Sequence, residues 1–589
     1  MKQILQIANC SGFYGDRLSA AKDMVEGGPI DVLTGDYLAE LTMAILWRSQ
    51  NRDAGAGYAT TFVTQMEEVL GTCLDRGIKI VSNAGGLNPR GLAERLEKLA
   101  ADLGLQPSIA FVEGDDLMPR LQSLMEAGQA FRHLDRDVPW AGSALTPLTA
   151  NAYLGGWGIK LALDQGADVV ICGRVTDAAV VVGPCASNFD WKRDDWNALA
   201  GAVVAGHIIE CGPQSTGGNY SYFQEITGLD SPGFPIAEVA SDGSSVITKH
   251  PGTGGRVTVG TVTAQLLYEI GAPRYLNPDV TSHFETIQLT EEGPDRVAVT
   301  GVQGSAPPSD LKVAINYLGG YRNSITFGIS GLDIEEKARI LESALWKSVG
   351  GREQFDTAEA RLVKSTRLDP ETVDDSMSYL RFTVKDPDPQ KVGRGFSRGA
   401  VELALSNYPG LFLTTPPEEA SPYAVFWPAT IPAALVPMRV VVGDAETMVT
   451  SQAPAGESAD LLPGAPLESP PYGEMEPMPL GKLIGARSGD KGGNANVGVW
   501  VREAKAFPWL ASLLTVDRMR QLLPEAAALP ITRFELPNLL ALNFVIQGFL
   551  GDGVSSSTRT DPQAKSLGEF IRARIVKVPK DLLTKTDDR

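Results

Sequence analysis

Between residues 30 and 172, short apolar runs alternate with amphipathic helical stretches, and this restricts the fold more than any other feature of the chain. The run Lys79–Ser82 is followed by a turn and then by Leu92, Leu96, Leu99 and Leu103, spaced to line one helical face, with Pro89 in the first turn where its missing N–H costs nothing. Residues 108–112 then read as a strand again, and residues 168–172 as another after a helix over 156–164. The helix before Lys79 has Phe62, Met66, Val69, Leu70, Cys73 and Leu74 on one side. Residues 1–10 read as a first buried strand. Strands separated by amphipathic helices form parallel βαβ units with right-handed crossovers. The expected architecture is therefore an α/β body of mostly parallel βαβ units over residues 1–270.

The pattern then loosens. Strands over 311–321, 324–329, 378–385 and 438–442, with helices over 335–348 and 398–406, predict an α+β second part spanning 271–450. Residues 451–480 hold seven prolines and no lysine or arginine. Because proline lacks a backbone donor and fixes φ, this stretch reads as a semi-rigid tether that joins neither helix nor ladder. Beyond it, 481–580 form a small α+β module. Its strands are read near 496–502, 533–536 and 572–578, and its helices near 516–523 and 539–548. At 589 residues the chain exceeds what one core accommodates, in agreement with several domains.

Charge narrows the partners. There are 52 basic and 71 acidic residues, a formal charge of −19 that repels phosphate backbones and anionic lipid. Neither nucleic acid nor a membrane is an expected partner; a small molecule is. No uninterrupted apolar stretch is long enough to span a bilayer, and residues 1–10 are too short an apolar run for a signal peptide. The five cysteines lack C-x-x-C spacing and read as reduced thiols, which together with these features points to the cytoplasm.

In parallel α/β folds ligands sit beyond the carboxyl ends of strands. That rule collects Ser11, Asp36, Asn83, Gly85, Gly86, Glu113 and Arg174 with Asp177. Asp36 and Glu113 are candidate acid/base partners, since two carboxylates in unlike environments can separate their pKa values. Helix capping is the alternative for Asp36 and for Asp177. Arg174 can grip a carboxylate or phosphate with both arms of its fork, or else form a structural ion pair. The loop around Cys211, Ser215, Gly217, Gly218 and Asn219 offers glycine amides, hydroxyls and a thiol, with His207 four residues before Cys211. It lacks the Gly-Lys-Ser/Thr of a phosphate-binding P-loop. The texture of residues 249–255 is similar, and either an anion site or a plain hairpin turn fits it.

The four histidines have no ligand spacing, and no G-x-G-x-x-G opens a helix after the first strand. No metal and no cofactor is therefore expected, although Glu113, Asp115 and Asp116 could form an oxygen-ligand site if not simply solvated. In the module, Arg487, Asp490, Lys491 and Asn494 lie in one glycine-rich loop, read as an anion site or as an interface. Asn543, in an apolar helix, needs a buried partner.

These strings resemble the acyclic terpene utilisation AtuA family. The likeness rests on residues 6–12, 33–40, 82–89, 173–177 and 206–212 in the body, and on 486–496, 542–544 and 551–561 in the tail. It implies a ferredoxin-like fold for the module and a role in degrading acyclic terpenes and related branched acyl-CoA thioesters. The expected activity is that of a lyase, a hydratase or C–C lyase acting on a carboxylated acyl-CoA, which is substrate rather than cofactor. A homo-oligomer is expected, with an acyl-CoA carboxylase as a further candidate partner. The alternatives are a hydrolase or transferase working through Cys211 or Ser215, and a non-catalytic subunit of a carboxylase or lyase assembly.

Overall fold

The computed structural model of the chain describes residues 2–454, 456 and 472–583. They form two compact units. One takes in residues up to 316, 426–554 and the chain from 563 on; the other takes in 317–425 and 555–562.

The first unit is built on an eleven-stranded sheet. At its centre Ile4–Asn9, Val32–Gly35, Lys79–Ser82, Val169–Cys172 and Ile109–Glu113 lie side by side and parallel. The helices Ala20–Glu26, Thr60–Arg76 and Pro89–Asp102 contribute to the core beside these strands. Leu92, Leu96 and Leu99 are buried as their spacing predicts, whereas Leu103 caps its helix and is 42% exposed.

The expectation of a mostly parallel sheet holds for these five strands only. Six more extend it antiparallel: Pro235–Ala240, Ser245–Lys249, Arg296–Thr300 and Gln288–Gly293 at one side, Met438–Val442 and Ala445–Val449 at the other. The cause is local. Asp242-Gly243 and Gly443-Asp444 supply tight turns in which the glycines take positive φ, which joins neighbours as hairpins without a crossover helix. The helix Trp196–Ile209 has no charged residue except a histidine and is buried on all sides from Ala198 onward. It therefore delivers His207, Glu210 and Cys211 into the interior.

The C-terminal module has its own core and an antiparallel sheet in the order Ile484–Lys491, Asn494–Val501, Ala541–Ile546, Ile531–Leu536. Three readings change here. The 486–494 loop is a strand hairpin closed by Gly492-Gly493, with Gly492 at φ +60°. The apolar run 539–548 is mainly a strand, because a short run buried on both faces carries no period to tell strand from helix. Finally, Met475–Pro479 does join a ladder, pairing antiparallel with Ile575–Pro579 despite Pro477 and Pro479. This sheet has only two strands, so a proline needs to give up only a donor that no further strand would accept. Most of the proline-rich stretch, residues 457–471, lies outside the described residues.

The second unit packs the helices Ile334–Ser348 and Phe396–Val401 in one core with the strands Thr357–Lys364 and Met377–Asp386. The strand Asp310–Ser330, expected as two pieces, is continuous through Gly319-Gly320, and from residue 317 onward it belongs to this unit. Residues 555–562 also belong to it: Thr558 Oγ1 donates to Glu359 at 2.8 Å and Arg322 donates to the Ser555 carbonyl at 2.8 Å.

Candidate functional site

The ends of the parallel strands in the first unit enclose a buried polar cluster. Asp36, beyond Val32–Gly35, is 7% exposed. One of its carboxyl oxygens accepts from Asn83 Nδ2 and from the Leu38 backbone N–H at 3.1 Å, while Asn83 Oδ1 accepts from Tyr37 N–H at 2.8 Å. Asn9 Nδ2 donates to the carbonyls of Ile209 and Glu210 at 2.7 and 3.0 Å, which pins the end of the buried helix against the first strand. Gly12 makes this possible, since a Cβ there would stand 2.8 Å from the Cys211 carbonyl carbon.

Arg174 closes the cluster. It is 3% exposed, and its Nη1 donates to the Leu38 carbonyl at 2.8 Å and pairs with Asp177 at 3.1 Å. Its guanidinium lies 4.2 Å from the Tyr153 ring centroid, and its Nε makes no hydrogen bond among the described residues. Neither Asp36 nor Asp177 caps a helix: Asp36 turns back on Leu38, and the helix Ala179–Phe189 starts at Ala178 without a side-chain cap.

Burial dominates the electrostatics. It raises the pKa of Asp36 well above the usual carboxylate range, with Asp177 adding to the shift and Arg174 and Asn83 opposing it. Glu210 is raised in the same way, by burial and then by Asp177 and Glu269. His207, whose Nδ1 is 3.1 Å from Glu210, is lowered to about 4, chiefly by burial and then by Lys491. Burial works against the charge of Arg174, yet Tyr153, Asp177 and Asp36 hold its pKa above the ordinary guanidinium value. The site thus sets carboxyls whose ionisation burial disfavours beside a permanent cation.

The module packs against the segment 267–271 beside this cluster. Its hairpin runs along the segment Tyr268-Glu269, where Gly489 is required because a Cβ would stand 2.4 Å from the Tyr268 ring. The Arg487 guanidinium lies 4.1 Å from that ring's centroid and its Nη2 donates to Gln214 Oε1. Lys565 donates to the Tyr268 hydroxyl. Lys491 Nζ donates to the Glu269 carbonyl at 2.7 Å. Protein packed around that ammonium, and then Lys312, lower its pKa against the pull of Glu269, Glu40 and Asp177. Asp490 is raised to about 7 by burial, Glu269 and Glu40. A cavity of about 350 Å³ opens beside these groups, lined in part by Asn219, Tyr220, Phe223, Arg487 and Lys565.

Several candidates from the sequence stand elsewhere or serve the scaffold. Glu113 pairs with Arg439 and Arg90 and lines a different cavity of about 440 Å³; the charges acting on Asp36 are instead Asp177, Arg174 and Glu210. Ser11 donates to the Phe13 carbonyl, and Ser215 to the Gly212 carbonyl. The amides of Gly86, Gly217 and Gly218 are spent on the carbonyls of Asn83, Gln214 and Pro213. Gly85 is a packing requirement, with the Cys172 carbonyl oxygen 2.5 Å from where a Cβ would be. Asn494 donates to Asp135 at 2.8 Å.

Burial raises the pKa of Cys211, and Glu210, Glu269 and Asp36 add to the shift. Residues 249–255 form a structural turn, where Lys249 pairs with Asp295 and His250 bonds the Met24 carbonyl. Of Glu113, Asp115 and Asp116, Asp115 accepts from the Arg174 N–H and from Asn151. Among the described residues no cluster of three or more His, Cys, Asp or Glu is placed to hold a metal ion. Nor is any helix among them long and apolar enough to cross a membrane.

Sequence reasoning passed over Glu269, Tyr268 and Tyr275. The stretch around them carries no glycine-rich or charged motif, and only its contact with the distant module marks it. Asn543, on a strand rather than a helix, does have buried partners: its Nδ2 donates to the carbonyls of Ile270 and Gly271, and its Oδ1 accepts from Asn496.

The family model described as acyclic terpene utilisation family protein AtuA matches residues 5–442, and that of the AtuA ferredoxin-like domain matches residues 478–577. No curated protein and no solved structure matches the chain.

Proposed function

The chain belongs to the acyclic terpene utilisation family AtuA, and from that premise we propose that it is an enzyme of acyclic terpene breakdown. It adds or removes water, or cleaves a C–C bond, on a branched, carboxylated acyl-CoA thioester. The observation that carries this reading is Arg174 Nε, buried and without a hydrogen bond among the described residues, beside two carboxyls whose pKa burial raises. Hydration, dehydration and retro-aldol cleavage next to a thioester share one demand. Negative charge builds up on the thioester oxygen while a proton moves to or from carbon or hydroxyl. A fixed guanidinium N–H stabilises the first, and Asp36 and Glu210 serve the second, one as carboxylate taking a proton and the other as carboxyl giving one. Neither step transfers electrons to a redox cofactor.

The test is incubation of the full chain with a panel of enoyl- and 3-hydroxyacyl-CoA thioesters, with and without a second carboxylate, followed by mass. A gain or loss of one water assigns hydratase chemistry, and release of acetate or acetyl-CoA assigns a lyase. Turnover of none of them, or turnover undiminished in both Arg174→Gln and Asp36→Asn, overturns the reading.

A further inference from the structure

We propose that the cavity beside Tyr268 binds the free carboxylate of the substrate, with Arg487 and Lys565 selecting carboxylated over uncharged acyl chains. This rests on the acyl-thioester reading above and adds what that reading leaves open, the feature by which the substrate is chosen.

The charge pattern is the first support. Arg487 is 6% exposed and Lys565 is partly buried, and both stand over one ring, at 4.1 and 4.5 Å from the Tyr268 centroid. The hydrogen bonds of their side chains go to neutral groups, Gln214 and the Tyr268 hydroxyl. Neither is in a contact ion pair with a carboxylate among the described residues, although Asp490 acts on Lys565 through space. The carboxylate that does line this cavity, Glu569, is engaged by both of its oxygens with Arg572 at 2.8 and 2.9 Å. Two cations converging on one ring repel each other, and an anion seated between them removes that cost.

The second support is the character of the wall. Tyr220, Phe223 and Leu229 face the cavity together with the two cations, and Phe223 is 55% exposed. An apolar wall beside a charged one suits an alkyl chain ending in an anion. A carboxylate suits it better than a phosphate. Two cationic side chains can satisfy two carboxylate oxygens. Two of the glycine amides that a third phosphate oxygen could use are spent, Gly217 N–H on the Gln214 carbonyl and Gly568 N–H on Ser488 Oγ. The position fits as well: Tyr268 directly precedes Glu269, which acts on Glu210 and Cys211 in the buried cluster.

Calorimetric titration of the full chain with 3-methylglutarate, its dimethyl ester and 3′,5′-adenosine diphosphate tests the assignment without turnover. Wild type is expected to bind the diacid at least tenfold more tightly than the ester. Arg487→Gln and Lys565→Gln each lose that preference, and Lys565→Arg keeps it, with unfolding midpoints confirming that every variant is folded. Equal binding of acid and ester, or diacid affinity unchanged within twofold in both Gln variants, overturns the proposal. So does competitive displacement of the diacid by the nucleotide, which would make this the coenzyme's phosphate site. Charge-dependent diacid binding without turnover of any thioester supports the pocket and removes the proposed function. Turnover with no preference for carboxylated chains does the reverse.

Discussion

Asn496 of the module accepts the backbone N–H of Glu269 through its side-chain carbonyl at 2.8 Å, and Glu269 is held there at φ +55°. A non-glycine residue in the left-handed region is strained by about 1–2 kcal/mol, so the conformation persists only where neighbours impose it. Asn496 Nδ2 also donates to the Leu267 carbonyl at 3.1 Å, and Asn543 grips the carbonyls of Ile270 and Gly271. Gly498 lets the strand come this close, since a Cβ would stand 2.5 Å from that of Leu267. The module therefore fixes the backbone that carries Glu269 and Tyr268. Replacing Asn496 by Ala is expected to cost about 1–3 kcal/mol, the penalty of a buried group left unsatisfied, measured by urea unfolding. Turnover falls more than the stability loss accounts for at temperatures where the variant is fully folded.

Arg174 can be separated from a merely structural cation. Arg174→Lys keeps a charge near Asp177 but loses the planar fork and the Nε donor. A fall in kcat of about tenfold or more with little change in KM is expected, as for an interaction made in the transition state. A purely structural ion pair would leave kcat of the folded variant near wild type.

The pH dependence of stability has a worked sign at Asp115. Burial raises its pKa from 3.8 to about 7, against the pull of the Arg174 N–H and Asn151. Below about pH 4 the carboxyl is protonated folded and unfolded alike, and its contribution is fully present. Between about pH 4 and 7 the unfolded chain gives up the proton first, so stability falls as pH rises. Asp115→Asn does not titrate, so the stability gap between wild type and variant narrows across that window. His207 shifts in the opposite direction and cancels in the comparison, because both proteins carry it. Denaturant melts of the two proteins at pH 4, 5.5 and 7 measure the narrowing; a constant gap contradicts it.

Cys211→Ser is expected to retain turnover within a few-fold, since burial, and then Glu210, Glu269 and Asp36, disfavour the thiolate. Intact-mass analysis of wild type during turnover is expected to show no covalent acyl adduct. An adduct on Cys211 would return the hydrolase or transferase reading.

Gly489→Ala tests the seat of the proposed carboxylate pocket. The added methyl meets the Tyr268 ring, and displacing it is expected to cost about 1–3 kcal/mol of stability. It should also weaken diacid binding, because Arg487 and Lys565 are aligned on that ring.

How far the sequence foretold this arrangement depended on period and distance. The strands Lys79–Ser82, Ile109–Glu113 and Val169–Cys172 were legible because amphipathic helices separate them. Ala541–Ile546 was misread because every one of its residues but Val545 is buried, leaving no alternation to detect. Asp36, Asn83 and Arg174 were reachable from the rule that ligands meet strand ends, and they do share one cluster. Glu113 obeys the same rule but stands one strand too far along, at the edge of the parallel set and in the grip of Arg439. Glu269 obeys no local rule. Its backbone conformation is set by side chains 227 positions later in the chain.

That separation has a consequence during synthesis. The residues that fix Tyr268 and Glu269 leave the ribosome long after the body's parallel strands, and the module's ladder between Met475–Pro479 and Ile575–Pro579 cannot close until the last of these has emerged. A nascent or truncated chain that stops before Arg487 has neither the clamp on Glu269 nor the two cations over Tyr268. Both features arrive only with the C-terminal module, so a translation product that ends within the body lacks them.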